Sequence, residues 1–64
     1  MTTFRVGDIV YIDPVLARFR RGFDPCGVVT AVRDGGVTVE HLDRWSASGV
    51  VRRGYPVEWV TPTR

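Results

Sequence analysis

The 64-residue sequence predicts a small all-β domain of five short strands, and three observations predict it. β-branched runs, with Val the commonest residue, stand between turn signals supplied by four Pro and seven Gly. Within those runs the apolar residues alternate with period two. No apolar stripe of helical period is long enough for more than a turn or two of helix.

The first run, Val6-Gly7-Asp8-Ile9-Val10-Tyr11-Ile12-Asp13-Pro14, places Val6, Val10 and Ile12 on one face and Ile9 and Tyr11 on the other. Gly7-Asp8 turns the chain into the strand, and Pro14 ends it by removing a ladder donor. Val15 to Pro25 reads as an excursion loop with one helical turn near Val15–Phe19. The second run is Gly27 to Arg33. Asp34-Gly35-Gly36 makes a short hairpin, because Gly tolerates positive φ, and Val37 to Leu42 is the third run. A turn over Asp43 to Gly49 leads to a short fourth strand, Val50 to Arg53. Gly54 to Glu58 suits a 3₁₀ turn, and Trp59-Val60-Thr61 closes the series before Pro62. The expected strands are therefore near 8–13, 26–33, 36–42, 49–53 and 59–61. The expected core is Val6, Val10, Ile12, Val28, Val32, Val37, Val39, Val51, Val57 and Val60, one face under period-two counting.

Residues 1–64 form a single domain at the small end of what folds alone, so self-association is a natural supplement to its core. Cys26 is the only cysteine, which rules out an intrachain disulfide. A zinc site needs about four ligands, and Cys26 and His41 are the whole Cys/His supply, so no metal or other cofactor is expected. The sequence has no membrane-length apolar run and no signal-peptide pattern, and the lone unpaired Cys fits a cytoplasmic protein. All nine basic residues are Arg, and Lys, Asn and Gln are absent. Those three are read by A-rich codons, so the composition points to a GC-rich genome such as that of an actinobacterium or its phage. The net charge of +2 is far from that of a strongly basic nucleic-acid binder.

Three local patterns carry a family resemblance that spans Phe4 to Pro62. Phe4-Arg5-Val6-Gly7-Asp8-Ile9-Val10 resembles the "hydrophobe-x-x-Gly-Asp-x-Val" opening of KOW, Tudor-like and CarD-type modules. Gly27-Val28-Val29-Thr30-Ala31-Val32 resembles the strand that follows in KOW domains, and Tyr55-Pro56-Val57-Glu58-Trp59-Val60 is similar to the ending of SH3 domains. The resemblance implies a five-stranded SH3-like small barrel with a long first loop and a 3₁₀ turn before its last strand. That fold hosts RNA binders, peptide binders, polymerase-binding modules, phage structural proteins and a plasmid-borne reductase, so it leaves function to the surface. The long first loop departs from KOW domains, and the aromatic cage of a Tudor reader is missing.

Catalysis is not expected, since there is no P-loop, no G-x-G-x-x-G and no metal motif. Asp8, Asp13, Asp24 and Asp43 sit at turns, where carboxylates satisfy backbone amides. His41 alternates with Val37 and Val39 and reads as packing, and Cys26 reads as a small buried hydrophobe. The first functional candidate is Arg18, Phe19, Arg20, Arg21 and Phe23, extended by Arg52 and Arg53: Arg contacts phosphates and Phe stacks on bases, which suits RNA or single-stranded DNA. Its bland alternative is that Phe19 and Phe23 pin the loop to the domain while the Arg residues are merely solvated. The second candidate is Tyr11, Trp45, Tyr55 and Trp59 as an aromatic surface for a protein partner or a second copy of the chain, unless Tyr55 and Trp59 are core. The expected function is a non-catalytic binding module, for nucleic acid or else for protein.

Overall fold

The computed structural model describes residues 3–43 and 46–63. Five antiparallel strands form one sheet: β1 (Ile9–Ile12), β2 (Cys26–Arg33), β3 (Gly36–Leu42), β4 (Val50–Pro56) and β5 (Val60–Pro62), with a 3₁₀ turn at Val57–Trp59. The spatial order is β4-β3-β2-β1-β5, so β2, β3 and β4 are a meander and β5 returns to the far side of β1. No ladder joins β4 to β5 among the described residues, and the sheet is open. No described helix is long and apolar enough to cross a membrane.

Four of the five strands fall within two residues of their expected limits at both ends. The fourth is longer. Gly54, Tyr55 and Pro56 continue β4 by pairing with Thr38, Val37 and Gly36, and the 3₁₀ turn starts only at Val57. Gly54 does not break the strand because it is half of a regular cross-strand pair.

The core consists of Phe4, Val10, Ile12, Val29, Val37, Val39, Tyr55 and Val60, with Ala17, Phe19, Val57 and Trp59 packed against it. Five of the expected core residues are there, namely Val10, Ile12, Val37, Val39 and Val60, and Val51 and Val57 are half-buried. Val6, Val28 and Val32 are instead exposed. Val6 precedes the turn at Gly7, so it is not on the strand whose parity was extended to it, and Phe4 fills the core instead. In β2 the register with β3 shifts between Val29 and Ala31. That bulge at Thr30 interrupts the alternation, so no single parity runs through the strand. Val29, across from Val39, is the residue that enters the core.

Gly27 is required by close approach. It lies opposite Val10, and a Cβ there would strike the Val39 side chain and lie 2.7 Å from the Glu40 carbonyl oxygen.

Candidate functional site

The loop from Asp13 to Pro25 is built from its ends inward. The Asp13 carboxylate accepts the amides of Val15 at 2.9 Å and Leu16 at 3.2 Å. The chain then makes one turn and stops with two bonds of the Schellman pattern, Phe19 N–H to Pro14 C=O at 3.1 Å and Arg18 N–H to Val15 C=O at 3.2 Å. The motif demands a left-handed residue at its penultimate position, and Arg18 takes it with φ 55°, the only described non-glycine residue at positive φ. This turn is the helical turn expected near Val15–Phe19.

The stop delivers Phe19 onto the sheet. Its ring centroid lies 4.6 Å from that of Phe23, 5.5 Å from His41 and 5.9 Å from Tyr55, the last two edge-on. Phe23 is 5.0 Å from His41. Both loop Phe residues are thus anchors of the loop on β3 and β4.

His41 is the polar centre of this cluster and is fully buried. Its Nδ1 faces two carbonyl oxygens, Asp24 at 3.2 Å and Cys26 at 3.1 Å, and its Nε2 faces the Tyr55 hydroxyl at 2.8 Å. Carbonyls only accept, so Nδ1 carries the proton and Nε2 accepts from Tyr55. Burial lowers the His41 pKa, against the two carbonyl bonds that favour the cation, and the ring stays neutral near pH 7. Burial likewise raises the Tyr55 pKa, with Arg53 opposing it. Every polar group of the pair is satisfied and sealed under aromatic rings. That is a structural device, and it agrees with reading His41 as packing.

Beside this cluster a cleft of about 320 Å³ opens, lined by Arg18, Phe19, Arg20, Phe23, Asp43, Val51 and Arg53. Arg20 reaches Asp43 at 3.6 Å, tying the loop to the β3–β4 connection. The Arg53 guanidinium carbon lies 5.8 Å from the Phe19 ring centroid, over its face. Arg53 pairs with Val39, a core residue, so it stands on the core side of β4. Arg52, its neighbour, points the other way and bonds Glu40 at 3.0 Å. Arg18, Arg20 and Arg53 therefore share the cleft, and Arg52 does not. Arg21 is exposed on the same loop.

No known protein family, curated protein or solved structure matches this chain.

The aromatic candidates separate. Tyr55 is only 5% exposed and Trp59 is half-buried against it, with ring centroids 6.4 Å apart, so both rings serve the core. Tyr11 is exposed on the opposite face of the sheet, and Trp45 lies outside the described residues. Cys26 is exposed, not buried: it sits across from Tyr11 on that same outer face. The turn roles expected of Asp8, Asp13 and Asp24 are present, since each carboxylate accepts a backbone amide within three residues. Asp43 shapes its turn through its backbone, accepting from Ser46 and donating to Gly49.

Sequence reasoning missed Val51 and Asp43 as cleft residues. Period-two counting from Val51, an expected core residue, puts Arg53 on the same face, whereas Asp43 lies in the turn after β3, where no strand period applies.

Proposed function

We propose that the protein is a non-catalytic binding module that holds single-stranded nucleic acid in the cleft between the Asp13–Pro25 loop and β4. The carrying observation is convergence: guanidinium groups from two distant segments, Arg18 and Arg20 on the loop and Arg53 on β4, line one cleft with an apolar floor of Phe19, Phe23 and Val51. A phosphate backbone needs several cations along a track, and bases need apolar or planar groups beside it. One face of Phe19 already carries Arg53, so an entering base stacks on that guanidinium as readily as on a ring.

The SH3-like reading is part of this proposal. A meander followed by a 3₁₀ turn and a short last strand set against β1 supports it. The test is direct binding of RNA and single-stranded DNA oligonucleotides at about 50 mM salt, repeated at higher salt. Affinity that falls steeply with salt supports the reading. No binding of any oligonucleotide at the lowest salt ends it.

A further inference from the structure

Among the arginines and phenyl rings of the cleft stands one group of opposite sign, Asp43. Its side chain is 11% exposed, against 63% for Arg20, which reaches it at 3.6 Å. A carboxylate repels phosphate, so a cleft built only as a phosphate track gains nothing from it. The tie to Arg20 is one use for Asp43, and the edges of the bases offer a second. In a single strand those edges are open to side chains. An ionised carboxylate has two oxygens and about four lone-pair sites, so it accepts two parallel donors beside those it already holds. Guanine alone presents two adjacent donors, N1–H and the N2 amino group. Adenine, cytosine and uracil each mix a single donor with acceptors.

The cations point to the same base. A guanidinium fork pairs with two adjacent acceptors, and guanine offers them in O6 and N7. Arg18, Arg20 and Arg53 supply such forks in the cleft. Guanine is the one base that carries both a two-donor pair and a two-acceptor pair. A volume of about 320 Å³ lies at the small end of the ~300–1,000 Å³ of small-ligand pockets, which suits one base and excludes a duplex.

We propose that Asp43 makes the cleft selective for guanine, its carboxylate accepting N1–H and N2–H of one base of the strand. The proposal rests on the single-strand reading above and adds the identity of the base. Arg20 is largely exposed and its contact is long, so it exchanges to a phosphate as the base arrives. Carboxylate and guanidinium each keep a partner of opposite polarity in that exchange.

The experiment is fluorescence anisotropy on the intact chain at about 50 mM salt, with oligouridines of about seven nucleotides carrying a central G, A, C, U or inosine. Wild type should prefer the G oligonucleotide by at least about tenfold, the scale of one bidentate base contact. Inosine, which keeps N1–H and lacks the N2 amino group, should lose most of that preference. Asp43→Asn keeps the backbone bonds to Ser46 and Gly49 that shape the turn. It should weaken G binding about tenfold while leaving A, C and U unchanged or tighter, because a negative charge is gone from the phosphate path. If Asp43 only tethers Arg20, the substitution moves all four bases in the same direction, and that result overturns the proposal. Equal wild-type affinity for the four bases overturns it too, as does inosine bound as tightly as guanine, a comparison that decides even if Asp43→Asn fails to fold. Free guanosine monophosphate should compete only weakly, since it lacks the rest of the strand. If it bound as tightly as the oligonucleotide, guanine selectivity would stand with a nucleotide as the ligand. Failure to bind any oligonucleotide ends the single-strand reading and this proposal with it, whereas binding without base preference ends this proposal alone.

Discussion

The Tyr55 hydroxyl donates to His41 Nε2 across 2.8 Å, while His41 Nδ1 is held by the carbonyls of Asp24 and Cys26. This relationship joins β4, β3 and the end of the Arg-Phe loop through one imidazole. Tyr55→Phe removes the donor and leaves a buried ring nitrogen without a partner. The expected cost is about 1–3 kcal/mol in chemical denaturation. A variant as stable as wild type would mean that water satisfies Nε2.

The same pair makes stability pH-dependent on the acid side. The folded His41 pKa is lowered from 6.5, so the unfolded chain takes up a proton first as pH falls. His41 therefore contributes nothing adverse above the unfolded value, and stability falls as pH drops below about 6.5, by at most about 1.4 kcal/mol per pH unit for one proton. His41 titration followed by NMR should show the Nδ1–H tautomer at neutral pH and an apparent pKa below the ordinary value. A normal or raised value would contradict the buried arrangement.

Arg18 occupies a conformation that glycine adopts without strain. Arg18→Gly should stabilise the fold by about 0.5–1 kcal/mol, since relief of the left-handed strain outweighs the added freedom of the unfolded chain. Thermal melts of the two proteins read the sign. If Arg18 is kept for its charge in the cleft, the same variant should bind oligonucleotides more weakly while melting higher.

The cleft proposal distinguishes two adjacent residues. Arg53 faces the cleft and Arg52 is turned to the outer face on Glu40. On a log–log salt plot, Arg53→Ala should reduce the slope for a single strand by about 0.7, one phosphate's worth, and Arg52→Ala should leave it close to wild type. Equal losses at both positions would indicate diffuse attraction to a cationic surface, with no binding in the cleft.

Strand positions were legible because β-branched runs and Gly/Pro turns act locally, as at Cys26–Arg33 and Gly36–Leu42. The inward face of β3 was legible too, through Val37, Val39 and His41. The inward face of β2 was not. The bulge at Thr30 arises from how β2 meets β3, and the alternation of Val28, Val29 and Val32 carries no mark of it. Phe19 and Phe23 both anchor the loop beside His41 and line the cleft, two roles that the sequence offered only as alternatives. Which neighbouring arginine enters the cleft was within reach of the sequence, since Arg53 lies two positions from Val51, an expected core residue, and Arg52 only one. The outer face of β1 was visible too, since Ile9 and Tyr11 alternate against Val10 and Ile12.

The return of β5 to β1 shapes how the molecule folds and opens. β2, β3 and β4 are joined by short connections and can zip up as neighbours in sequence. The pairing of Ile12 with Val60 must instead close a long loop of chain for a three-residue strand. Such a contact forms late and is the first to be given up, so the amides of β5 should exchange with solvent by a local opening that leaves the meander protected. When β5 lifts away, the Tyr11 and Ile12 edge of β1 is bared to solvent, and that brief exposure is where edge-to-edge aggregation of the chain would begin.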